Sequence, residues 1–219
     1  MARTFGGAST DSITTALTTH ATTRSYSIWT YRTGTGGGNL GRMFDKRTSG
    51  AQVELLFHGS ADTDYFYDRN WSGAAASWKI AIPSANAWHN IIVTYDTGAT
   101  TNDPVIYVDG ASVTVTENVA PSGTANTNTD AYVIGNRTND NARNWAGDLC
   151  EFAVWDRILT ATEVDAIGAD GYSPLFYPSS LVEYVPLIRD ISSRKLAAPT
   201  SSGTVVQVHP RIIYPSSGM

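Results

Sequence analysis

Short runs of β-branched and aromatic residues, parted by clusters of Gly, Ser, Thr, Asn and Asp, recur along most of the chain at intervals of about ten residues, the spacing of an all-β sandwich or barrel. Candidate strands run from Tyr26 to Tyr31, Gly41 to Lys46, Val53 to His58, Trp78 to Ile82, Trp88 to Tyr95 and Val105 to Val108. Three more follow at Ser112 to Thr116, Ala131 to Gly135 and Leu149 to Trp155. Val53, Leu55 and Phe57 alternate with Gln52 and Glu54, a period of two that gives this strand one buried face.

The sharpest local signal is Asp109-Gly110 between two β-forming runs. A two-residue type I′ turn needs positive φ at both central positions, and Asp-Gly supplies it. The pairing puts Val108 opposite Ala111 and Ile106 opposite Val113. It predicts that these four and Val115 face the core, with Tyr107, Ser112 and Thr114 on the other side. One helix is legible. Thr160-Ala161-Thr162-Glu163 is a capping box, Val164 and Ile167 share a face, and Gly168 ends the helix before Asp170-Gly171.

Beyond Gly171 the texture changes. Pro174, Pro178, Pro186, Pro199, Pro210 and Pro215 keep the chain extended and bar it from central sheet positions. The expected organisation is a sandwich over residues 1–171 and a second segment, 172–219. That segment is either an arm lying on the domain or on a neighbouring subunit, or a set of edge strands, with Leu181 to Leu187 and Val205 to His209 as candidates.

Composition narrows the function. The chain has 219 residues, 42% hydrophobic and 16% charged, enough to bury a full core and too apolar for disorder. No apolar run approaches the roughly 18 residues of a spanning helix, so no membrane is expected as a partner. Met1 to Phe5 opens without an apolar h-region, so no Sec signal peptide is expected. A net charge of -5 argues against a nucleic-acid-coating role. The lone Cys150 excludes an internal disulfide and a cysteine-ligated metal.

Gly36 to Gly41 spells Gly-x-Gly-x-x-Gly, but a strand follows it, and pyrophosphate binding needs a helix N-terminus there. Asp62, Asp64, Asp68 and Asn70 offer oxygens for calcium. Tyr67 stands where an EF-hand requires glycine, and the segment reads as a polar loop. His20, His58, His89 and His209 show no metal-ligand spacing, and no Gly-x-Ser-x-Gly elbow occurs. The carboxylate pairs with the spacing for glycan cleavage, Asp62/Asp64 and Glu163/Asp165, fall in a loop and a helix. Aromatic rings remain. Tyr65, Phe66, Tyr67 and Trp71 with Asp68, and Trp145 after the loop from Asn136 to Asn144, could stack on sugars and hydrogen-bond their hydroxyls. Arg69, Arg137 and Arg143 border these segments and suit anionic sugars or a partner's carboxylates. The candidate glycan-binding set is therefore Tyr65, Tyr67, Asp68, Arg69, Trp71, Arg137, Arg143 and Trp145, with no catalytic residue.

Four stretches in register carry a family resemblance. They are Trp88-His89-Asn90-Ile91-Ile92-Val93-Thr94-Tyr95-Asp96, Ile106-Tyr107-Val108-Asp109-Gly110, Val133-Ile134-Gly135-Asn136, and Trp145 to Thr160 with its Gly147-Asp148-Leu149-Cys150-Glu151-Phe152 centre. Over roughly Arg3 to Ile167 the chain resembles the laminin G-like, concanavalin A-like jelly rolls. The resemblance implies an antiparallel two-sheet sandwich, glycan binding or adhesion at rim loops or on one sheet face, and often a structural calcium. Cys150 stands where many members carry Asp, which counts against a calcium site of the family's type. The Glu-x-Asp-x-x-Glu strand of laminarinase-type relatives is missing, which implies a non-enzyme. Tyr172 to Leu175, Leu181 to Leu187 and His209 to Pro215 are similar to stand-alone laminin G-like proteins of tailed-phage genomes. That resemblance implies a virion surface protein made in the host cytoplasm, a capsid decoration or fibre-like subunit. Its expected partners are capsid or tail proteins, copies of itself and host-surface glycans. The alternatives are an exported bacterial carbohydrate-binding module and, behind it, a glycosidase on the same fold.

Overall fold

The structure, a computed structural model, describes residues 2–6, 10–47, 52–137, 142–187, 196–197 and 199–216, without the side chains of residues 52, 55 and 207. The amino-terminal strands are β1 (Ala2–Gly6), β2 (Ser12–Thr14), β3 (Thr23–Arg32), β4 (Arg42–Arg47), β5 (Gln52–His58), β6 (Asp64–Arg69), β7 (Ala76–Ala81) and β8 (Trp88–Asp96). There follow β9 (Val105–Val108), β10 (Ala111–Ser112), β11 (Thr116–Val119), β12 (Val133–Ile134) and β13 (Ala146–Trp155). The helix α1 (Ala161–Gly168) precedes β14 (Leu181–Val185), β15 (Thr200–Ser202) and β16 (Val205–Gln207). They form two antiparallel sheets. The first is ordered β10-β9-β8-β3-β13-β1-β16, with β14 also on β13; the second is β11-β7-β6-β5-β4-β12-β2-β15. This is the expected all-β jelly-roll sandwich.

The sheets meet through aromatic rings delivered by period-two alternation. Tyr26 and Phe152 of the first sheet meet Phe44 and Tyr67 of the second, with Tyr26 and Phe44 stacked at 5.1 Å between centroids. Trp78 packs edge-on against Tyr95 at 5.1 Å. Trp78 is fully buried and its indole nitrogen donates to Asp103 at 2.8 Å. Truncating such a ring to alanine costs about 3–5 kcal/mol.

The Asp109-Gly110 turn has φ of 50° and 82°, both positive, as a type I′ hairpin requires. Val108 pairs with Ala111, and Val113 donates its amide to Ile106. Ile106 is buried and Val108, Val113 and Val115 pack on the core, whereas Ala111 is exposed, contrary to expectation. The expected strand Ser112 to Thr116 is also broken. The chain leaves the first sheet after Ser112 and joins the edge of the second at Thr116. Tyr107, on the supposed outer face, packs on a second small core formed beneath α1 by Ile92, Trp155, Leu159, Val164 and Ile167. Helix α1 starts as expected, with Thr160 and Glu163 forming the capping box.

The segment after Gly171 folds back onto the same chain. Strand β14 pairs with the second half of β13, β16 with β1, β15 with β2, and Ile213 bridges Tyr172. A bulge at Glu151, φ 56°, divides β13 so that β1 takes residues 146–149 and β14 takes residues 152–155 of the same flank.

Candidate functional site

Residues 62–70 form not a polar loop but mostly strand β6, and its alternation settles where each expected site residue points. Tyr65, Tyr67 and Arg69 face inward, while Phe66 and Asp68 face outward. Tyr65 lies 6.1 Å from the Trp145 ring, Tyr67 packs on Trp78, and Trp71 and Trp145 are likewise enclosed. None of these four rings presents a face on which a sugar could stack, because each fills the inter-sheet core. Asp68 is half-buried on the outer face of the second sheet, and Arg137 is half-buried at the end of β12. Arg143 donates to the Gly37 and Gly38 carbonyls at 3.4 and 3.1 Å and so pins the glycine-rich loop. Residues 138–141 of the expected Asn136-to-Asn144 loop lie outside the described residues.

Calcium does not fit the expected positions. Cys150 sits in the hydrophobic core, where burial pushes its thiol up and no oxygen ligand is offered. Asp62 is held by Arg32 at 3.0 Å and His58 at 2.8 Å, and Asp64 by Lys79 at 3.3 Å. Among the described residues no group of three or more His, Cys, Asp or Glu is placed to hold a metal.

The open chemistry lies instead at one end of the sandwich. The loop 18–22 between β2 and β3, the turn after β8 and the loop 124–130 before β12 enclose two adjoining hollows. The larger, about 580 Å³, is lined by Thr18, Thr19, His20, Thr127, Asn128, Thr129 and Asp130. The smaller, about 280 Å³, shares His20 and Thr127 and adds Thr22, Arg69, Thr97, Gly98 and Thr124. Asn128 donates to Asp130 at 2.6 Å, while its own carbonyl oxygen is buried without a partner. Clustered hydroxyls, an amide and a carboxylate are the groups that exchange hydrogen bonds with a polyol.

A buried ionic network holds the floor. Glu54 accepts from the hydroxyls of Tyr26, Tyr67 and Tyr132, the last at 2.8 Å, and His20 Nε2 lies 3.3 Å from it. Burial alone would raise the Glu54 carboxyl. The His20 hydrogen bond and charge, the Arg69 guanidinium and the Tyr26 hydroxyl outweigh that and hold it far below the usual carboxylate range. Arg24 reaches Tyr132 at 3.1 Å and Asp156 at 2.6 Å. Lys46 donates to the Thr18 and Thr19 carbonyls at 3.1 and 3.3 Å and so ties down the rim. Burial, then Arg24, draw its ammonium down to about 8.

His20, Asn128 and Asp130 are the residues sequence reading missed. Their segments carry only turn chemistry, and nothing in the pattern tells that the two loops converge. A second arrangement lies on the outer face of the second sheet, where the β4–β7 register aligns Arg42, Phe57, Phe66 and Lys79 in one row. Phe57 and Phe66 stack at 5.4 Å and the Arg42 guanidinium lies 4.1 Å over Phe57, so these rings and the cation are engaged with one another.

The fold is shared with proteins of little sequence likeness. A heptameric SAP-like pentraxin from Limulus polyphemus matches with a TM-score of 0.65 and 17% identity over 93% of both chains. A Bacteroides ovatus protein named for carbohydrate binding matches with a TM-score of 0.68 and 16% identity over 93% of this chain and 58% of its own. Domains LG4-5 of mouse laminin α1 match with a TM-score of 0.53 and 14% identity over 73% of this chain and 44% of theirs. This chain thus spans little more than half of the second and less than half of the third. No curated protein sequence matches it significantly. The profile of the Laminin_G_3 family covers residues 5–165, from the first strand of the sandwich into its helix. Sequence and architecture agree: the chain belongs to the Laminin_G_3 family of the concanavalin A-like lectin/glucanases superfamily.

Proposed function

We propose that this protein is a non-enzymatic carbohydrate-binding protein that takes glycan hydroxyls in the paired hollows at the His20 end of the sandwich. The observation that carries the reading is the larger hollow, where Asn128 keeps a buried, unpartnered acceptor beside Asp130 and a ring of threonines. An unmet buried acceptor is stabilised by a ligand donor that replaces the missing partner. The fold's likeness to pentraxin and to a protein named for carbohydrate binding adds support. The non-enzymatic reading is supported by Glu54 and Glu151, the strongly shifted carboxylates of the interior. Both are enclosed by tyrosine hydroxyls and offer no face to a substrate.

A printed glycan array tests the site. Wild-type protein is retained on a subset of glycans, and Thr127→Trp, which fills the exposed rim common to both hollows, abolishes retention without altering the melting temperature. Equal retention by the variant, or none by the wild type, overturns the reading. Release of reducing ends that rises with protein concentration overturns the non-enzymatic part.

The setting we propose is the surface of a tailed-phage virion, as a capsid decoration or fibre-like homo-oligomer contacting other virion proteins. Its support is the tail's resemblance to stand-alone laminin G-like phage proteins. The outer strand β16 adds to it, with Val205 60% exposed and Val208, just beyond, 81% exposed. Apolar side chains beside a sheet edge suit assembly by strand addition. Mass spectrometry of purified particles detects the protein under this reading, and its absence from them overturns it.

A further inference from the structure

Strand parity removes Tyr65 and Tyr67 from solvent, and the same parity carries Arg69 to the floor of the smaller hollow. Arg69 is 1% exposed, yet its hydrogen bonding is far from complete. Nη1 donates to the Val53 carbonyl at 2.9 Å, and Nε is buried with no partner. A guanidinium carries five N–H donors in a planar fork matched to a carboxylate. Around it stand hydroxyl groups, those of Thr22, Thr97, Thr124 and Thr127, and the His20 imidazole.

The neighbouring carboxylates have their hydrogen-bonding capacity already taken up. Glu54, opposite Arg69 in the β5–β6 register, is saturated by three tyrosine hydroxyls and His20. Asp96 at the rim accepts from the Gly98 amide at 2.8 Å, and Asp130 accepts from Asn128 in the larger hollow. Lys46 feels the charges of both Arg24 and Arg69, so the three cations share one neighbourhood. The hollow therefore presents a buried guanidinium that faces Glu54 on one side and keeps an unspent donor, and a hydroxyl wall.

We infer that the smaller hollow is an anion subsite: it takes the carboxylate of an acidic sugar on Arg69, while the sugar's hydroxyls extend into the larger hollow beside Asn128 and Asp130. The inference rests on the proposed glycan-binding reading and specifies its substrate class. A buried Arg–carboxylate pair is worth more than a neutral hydrogen bond, so the acidic sugar is selected over its neutral counterpart.

The test is an array printed in matched pairs that differ only in a carboxylate, glucuronate against glucose and galacturonate against galactose. Retention of the acidic member at roughly tenfold lower protein concentration is expected. Thr124 lines only the smaller hollow, and its contacts to Ser72 run through its backbone. Thr124→Glu accordingly places a like charge at that rim without disturbing the fold. It abolishes the preference, read as the ratio of acidic to neutral retention, with the melting temperature unchanged, and Thr124→Gln keeps the preference. Equal retention of both members of each pair by the wild type overturns the anion subsite but leaves the glycan site standing. No retention of any glycan overturns both. An acidic preference that survives Thr124→Glu places the anion elsewhere and overturns the assignment to Arg69.

Discussion

The Tyr214 hydroxyl donates to the Glu151 carboxylate at 2.6 Å, joining the end of the described chain to a bulge in the middle of a core strand. Tyr184 donates to the other carboxylate oxygen, also at 2.6 Å. Glu151 is 1% exposed, and burial raises its carboxyl to about 7 against the pull of both tyrosines. A carboxyl raised on folding contributes stability that is fully present below its unfolded value near 4.5 and is lost as pH rises through 7. Glu151→Gln removes that dependence. Calorimetry is expected to show variant and wild type melting alike near pH 4.5 and the variant more stable at pH 8, by roughly 3 kcal/mol. Parallel pH profiles would show that Glu151 does not titrate in this window.

Glu54 carries the opposite sign. Its folded carboxyl lies well below 4.5, so its contribution is present above that pH and is lost in acid. Glu54→Gln leaves Arg69, Lys46 and Arg24 short of a buried counter-charge and is expected to cost about 3–5 kcal/mol at neutral pH. Urea unfolding measures this directly. A variant within about 1 kcal/mol of wild type would mean the tyrosines, not the charge, carry the network.

Gly135 has φ of 78°, and an added Cβ would sit 2.0 Å from Cε1 of the buried Phe5 ring. Gly135→Ala is expected to cost at least about 3 kcal/mol through strain and overlap. Phe5→Ala opens a cavity at the same place, so the double variant should cost less than the two single costs together. Strict additivity would separate the two residues energetically.

Asp130→Ala and Asn128→Ala, at the rim of the larger hollow, should each weaken glycan retention by about tenfold with little change in stability. Wild-type retention in both would remove this hollow from the binding surface.

Much of the fold was legible because period-two alternation and the Asp109-Gly110 turn are local signals. Strand β6 was misread because its acidic and aromatic residues resemble a polar loop in composition. Only its parity, Tyr65, Tyr67 and Arg69 against Phe66 and Asp68, distinguishes inside from outside. Reading that strand as a loop placed the core rings of Tyr65 and Tyr67 in the candidate site. Of the expected residues only Arg69 lines the hollows, and it does so from within. The pairing of loops 18–22 and 124–130 arises from sheet order, which is a long-range property with no short-range signature.

Strand β1 has its partners far down the chain, since Arg3 opposes Leu149 on one side and Val206 on the other. During synthesis it must therefore wait on the order of ten seconds for its first neighbour, while β3 through β9 have already zipped into antiparallel ladders. Strand β1, though made before its partners, is therefore among the last elements to fold. Whatever guards that strand against sticking to other nascent chains acts before the sandwich exists.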